Sequence, residues 1–65
     1  MDLEELIINE LKKDSRGLTI TELAKKLNKS RITIRIRLEV LKERGILDLR
    51  EIGPSKLYFI KNPRL

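Results

Sequence analysis

The chain has no cysteine, no histidine and no tryptophan, and its aromatic residues are a single tyrosine and a single phenylalanine. Without cysteine there is no disulfide and no thiolate-zinc centre, and without histidine no imidazole ligand or general base. The acidic residues offer no convincing metal pair. Asp48 and Glu51, for example, stand three apart on an expected strand and so point to opposite faces. No metal, no cofactor and no enzymatic activity are expected. Long apolar runs are lacking too, and those present fall far short of the ~20 residues that cross a bilayer. The opening Met1-Asp2-Leu3-Glu4-Glu5 is acidic, the wrong sign for a secretory signal or transit peptide. A soluble, cytoplasmic location is expected, and the initial methionine favours a whole protein over an excised piece. With 65 residues, one domain spanning 1–65 is expected. A chain of that size buries only about 60% of its unfolded surface, leaving little room for a substrate pocket beside a core.

What is present is charge. Lys and Arg total 15 against 10 Asp and Glu, a net charge of +5. The composition is rich in Lys, Glu, Arg and Ile and has no glutamine, which is similar to thermophile usage. Placement matters more than the total. Asp2, Glu4, Glu5 and Glu10 fall in the first ten residues, whereas from Lys25 to Arg37 every charged residue is basic. One face is expected to meet a polyanion.

Hydrophobic spacing organises the chain. Leu3, Leu6, Ile7 and Leu11 recur at helical intervals, predicting a helix over 2–13 that ends at Ser15-Arg16-Gly17. Leu18-Thr19 is a stub of strand. Thr19 and Glu22 then fit a capping box at the start of a second helix over 20–27, with Ile20, Leu23, Ala24 and Leu27 on one face. Asn28 tolerates the left-handed conformation that ends a helix, and Ser30 is a good N-cap for a third helix over 31–44. A break of only Asn28-Lys29-Ser30 joins these two helices, which defines a helix-turn-helix. Gly45 closes the third helix. Residues 46–51 and 56–60 read as strands around a Gly53-Pro54-Ser55 turn, giving a hairpin over 46–61, and residues 62–65 read as a frayed tail.

Several segments carry a family resemblance: Leu18-Thr19-Ile20-Thr21-Glu22-Leu23-Ala24, Leu27-Asn28-Lys29-Ser30, Thr33-Ile34, Leu38, Leu41, Gly45-Ile46-Leu47 and Tyr58. In that order and spacing, residues 18–60 resemble the DNA-binding core of small prokaryotic regulators of the MarR, ArsR and Lrp type. The resemblance implies an α+β winged helix-turn-helix fold, with three helices plus a C-terminal two-stranded hairpin wing. It also implies sequence-specific binding of double-stranded DNA in transcription regulation, with the third helix in the major groove and the wing on the backbone. Asn28 replaces the usual glycine of the turn. The extra helices that such regulators use for dimerisation or ligand sensing do not follow the wing, so no small-molecule effector is expected. A homodimer contact would fall to Leu3, Ile8 or the tail at Leu65.

On the third helix, Ile34, Leu38 and Leu41 form one stripe, assigned to the core against Leu23, Ala24 and Leu27. The opposite side presents Ile32, Ile36 and Glu39, flanked by Arg35, Thr33 and Val40. Mapped on the family, the groove-facing set is Ser30, Arg31, Ile32, Thr33, Arg35 and Ile36. Arg31 and Arg35 suit guanine O6 and N7 or phosphate, the Ser30 and Thr33 hydroxyls suit phosphate, and Ile32 and Ile36 suit thymine methyl groups. Lys29, Arg50 and Lys56 are expected to clamp the backbone from the turn and wing, with Lys61 an ordinary solvent-facing residue. Exposed arginine is commonly just solvated, and apolar exposure also marks protein contacts. A protein-interaction module docking through Ile32, Ile36 and Val40, or an RNA-binding winged helix, therefore stand as alternatives. Of Tyr58 and Phe59, strand alternation sends one to the core.

Overall fold

Local capping chemistry sets where each helix begins and ends. The computed structural model describes residues 2–61, so the expected tail at 62–65, with Leu65 as a dimer contact, lies outside the described residues. Helix α1 (Leu3–Lys13) starts after Asp2, whose carboxylate accepts from the Glu5 N–H at 2.8 Å. Asp2 is thus the cap and not the first helical residue. Helix α2 (Ile20–Leu27) opens with the full capping box: Thr19 Oγ1 accepts from Glu22 N–H, and Glu22 Oε1 accepts from Thr19 N–H. Asn28 ends it in the left-handed region with φ 55°. Helix α3 (Arg31–Glu43) follows Ser30, whose side chain accepts from Thr33 N–H. It stops one residue earlier than expected. Arg44 is its cap, and the N–H groups of Gly45 and Ile46 bond the carbonyls of Lys42 and Leu41 in a Schellman closure with Gly45 at φ 78°.

Strands β1 (Leu47–Ile52) and β2 (Ser55–Ile60) pair antiparallel, with Ile52 opposite Ser55 and Leu47 opposite Ile60. The loop is therefore two residues, Gly53-Pro54, and Ser55 belongs to the strand. Positive φ at Gly53, followed by the negative φ that proline imposes, fits a type II′ turn, whose twist matches the strands it joins. The Leu18 stub bridges Tyr58 through a reciprocal pair of backbone bonds, which ties the segment between α1 and α2 to β2. Gly17 is required beside it: its φ is 97°, and a Cβ there would lie 2.6 Å from the Tyr58 carbonyl oxygen.

The core gathers Ile7 and Leu11 of α1, Leu18 of the stub before α2, Leu23 and Ala24 of α2, Ile34, Leu38 and Leu41 of α3, and Leu47 and Tyr58 of the hairpin. Leu27 is half-buried against this cluster, as are Leu3 and Ile8. Because Leu3 and Ile8 pack on their own core, they offer little apolar surface for the dimer contact expected of them. Glu4 of α1 meets both Arg37 (3.6 Å) and Arg44 (3.4 Å), bracing α1 across α3. Among the described residues no buried side-chain polar atom lacks a partner, and no helix is long and apolar enough to cross a membrane.

Candidate nucleic-acid interface

Helix α3 divides into stripes at three- and four-residue spacing. Its core stripe is fully buried. Next to it, Arg31, Arg35, Glu39 and Lys42 face a groove between α3 and the wing, whose other walls include Ile20, Leu49, Lys56 and Tyr58. Ile32 and Ile36 point away from the core and are 73% and 56% exposed, with Ile32 at the edge of the same groove. Val40, 36% exposed, lies one turn beyond Ile36. The last stripe carries Arg37 and Arg44 to Glu4. Arg37 is thus spent on packing α1, although it sits in the basic run.

Glu39 is not where the sequence placed it. Instead of lying among the exposed isoleucines, it turns to the wing and accepts a hydrogen bond from Tyr58 Oη at 2.9 Å. Tyr58 is the core aromatic of its strand, and its hydroxyl reaches the groove wall. Burial, the hydrogen bond to Glu39 and that carboxylate's charge push the Tyr58 hydroxyl up to about 12, against a smaller pull from the Arg35 guanidinium. The phenol therefore stays a donor at neutral pH and pins the wing to α3.

The expected site residues fall into three groups. Ser30 at the cap, and Arg31, Ile32, Thr33, Arg35 and Ile36 on the first half of α3, are all exposed. Two of these side chains are partly occupied: Ser30 Oγ donates to Thr33 Oγ1 at 2.8 Å while capping the helix, so the free donor of the pair is the Thr33 hydroxyl. Lys29 is exposed on the turn, and Lys56 lines the groove from the wing while pairing with Glu51 across the strands at 3.9 Å. Arg50 stands apart. The register places it opposite Leu57, on the sheet face turned away from α3, where its guanidinium lies 5.1 Å from the Phe59 ring centroid. The hairpin therefore does not bring Arg50 and Lys56 to one surface. Lys42 was missed by the sequence reading, although its distance of seven residues from Arg35 already puts it on the same stripe.

Charge distribution sharpens the surface. Among the described residues, Lys13, Arg16, Arg37, Arg44 and Lys56 have a carboxylate partner; Lys29, Arg31, Arg35 and Lys42 do not, nor do Lys12, Lys25, Lys26, Arg50 and Lys61, which lie off the α3 groove. The first turn of α3 holds no acid, unlike those of α1 (Glu4, Glu5) and α2 (Glu22). The positive end of its dipole is left uncompensated. Among the described residues no cluster of acidic side chains is arranged to hold a metal.

Comparison with known proteins agrees with this architecture. Residues 2–48 match the family described as winged helix-turn-helix DNA-binding, a span that takes in all three helices and ends at the second residue of β1. Over 47 residues, 72% of this chain, it is 47% identical to an uncharacterized HTH-type transcriptional regulator of Pyrococcus furiosus. It is similarly 45% and 43% identical to counterparts in Pyrococcus abyssi and Pyrococcus horikoshii. In each case the match covers 28% of the relative's length. These thermophilic sources accord with the Lys-, Glu- and Arg-rich composition.

Proposed function

The chain belongs to the winged helix-turn-helix DNA-binding family, and on that premise we propose that it binds double-stranded DNA sequence-specifically as a small transcriptional regulator, with α3 in the major groove and the wing along the adjacent backbone. One observation carries this: the unpaired Lys29, Arg31, Arg35 and Lys42 are grouped at the start and on the wing side of one exposed helix. Free guanidinium groups supply the bidentate donors that fit guanine O6 and N7 or a phosphate. The first backbone N–H groups of α3 have no helical acceptor and add donors for a phosphate at its positive end. Lys56 extends the row across the groove, because an exposed pair such as that with Glu51 contributes little and is readily exchanged. Arg50 contributes only by leaving the Phe59 ring.

A lone module with about three to five phosphate contacts binds weakly, so the proposed working form is a homodimer on a two-fold operator. The proposed setting is the cytoplasm, with no effector and no catalysis by this chain.

Selection from a random pool of duplex DNA, followed by titration of the enriched sequence, tests the proposal. An enriched motif is expected, and Arg35→Ala should weaken binding by about tenfold or more. Failure to retain duplex at low salt contradicts it. A second reading, docking of a protein on Ile32, Ile36 and Val40, is favoured by the exposure of those three side chains; such docking would tolerate Arg35→Ala.

A further inference from the structure

Resting on the duplex binding proposed above, we infer that Ile32 and Ile36 are a methyl-reading patch, so that the 5-methyl groups of thymine determine affinity alongside phosphates and guanine edges. The two side chains are the most exposed large apolar groups on the helices, at 73% and 56%. Neither supports the core, and leaving them in water is unfavourable. In the major groove the thymine methyl is the one apolar feature they can cover. Four residues of helix separate them by about 6 Å, so their tips reach pairs within about two steps of one another at ~3.4 Å per step.

The surroundings select DNA as the occupant. Arg31 and Arg35 flank the isoleucines and are unpaired among the described residues. An apolar protein face would have to desolvate these charges without compensation, whereas a duplex meets them with phosphates and guanine edges. The nearby acid is also drawn aside: Tyr58 holds the Glu39 carboxylate toward the wing. The next acid along the exposed side is Glu43, about two turns beyond Ile36. The stripe thus offers methyl groups and cations together, and Glu39, the acid that lines the same groove, is engaged by the Tyr58 hydroxyl.

Deoxyuridine provides the test, since replacing thymine with it removes the methyl and keeps the phosphates and pairing edges. A duplex enriched by the chain from a random pool is resynthesised with deoxyuridine, and both forms are titrated at one salt concentration. The thymine duplex should bind about fourfold tighter for one buried methyl and about fifteenfold for two. The double variant Ile32→Ala/Ile36→Ala should bind both forms alike, with affinity for the deoxyuridine form within about twofold of the parent's. Its unfolding midpoint, measured alongside, should stay near the parent's because both positions are exposed. Equal binding of the two duplexes by the parent overturns methyl reading while leaving DNA binding intact. Failure to enrich or retain any duplex from the pool, even at low salt, overturns both and moves the stripe to a protein partner.

Discussion

Tyr58→Phe removes one oxygen from the wing and isolates the contact that holds β2 to α3. The ring, 3% exposed, keeps its packing, while the Oη donation to Glu39 at 2.9 Å is lost. A hydrogen bond to a charged acceptor contributes about 1.5–3 kcal/mol, and Glu39 regains water once its donor is gone, so the net cost is about 1–2 kcal/mol. That is a large share of the ~3–10 kcal/mol total of a domain this size. Burial of the phenol first, and this contact second, set a pH signature. The folded state raises the phenol from 10.0 to about 12, so it holds that proton more tightly than the unfolded chain does. The contribution is complete below pH ~10 and is lost as pH rises toward 12. Urea unfolding of parent and variant, followed by circular dichroism from pH 7 to 11.5, reads the difference, in which shared lysine titrations cancel. The parent should be the more stable to about pH 9, with the gap closing above pH 10. A gap that is absent at pH 7, or constant through pH 11.5, refutes the pin.

Leu38→Ala empties a fully buried site on α3 and should cost about 2–5 kcal/mol, enough to unfold much of the population by circular dichroism. Gly17→Ala and Gly45→Ala both place a side chain at positive φ, but only the first meets the Tyr58 carbonyl, while the second finds nothing within 4 Å. Urea midpoints should show about 1–2 kcal/mol lost at Gly45 and clearly more at Gly17, where the Leu18–Tyr58 bridge must shift. Arg37→Ala provides a matched control for Arg35→Ala. With its charge already turned to Glu4, it should change duplex affinity less than Arg35→Ala does and stability by at most about 1 kcal/mol.

Sequence legibility follows the range of the interaction. The capping box of Thr19 and Glu22, the left-handed Asn28, the Ser30 cap and the Ile34, Leu38, Leu41 stripe all depend on neighbours within a few residues, and each is readable from spacing alone. The exposed half of α3 follows from the same periodicity. The fate of Glu39 does not, because its partner Tyr58 is 19 residues away and the packing angle of the wing decides whether they meet. Arg37 likewise looks like its basic neighbours until α1 delivers Glu4. Arg50 and Lys56 illustrate register: with a two-residue loop, Arg50 pairs with Leu57 and Lys56 with Glu51, which sends the two cations to opposite faces. Reading the turn as three residues concealed that parity.

Titration of random-sequence duplex DNA at several salt concentrations tests most directly whether the cations on α3 and the wing meet a phosphate backbone. Binding in the micromolar range that weakens with salt along a log–log slope of about −3 to −5 is predicted for about that many phosphate contacts. Absence of binding at low salt, or binding indifferent to salt, would contradict it.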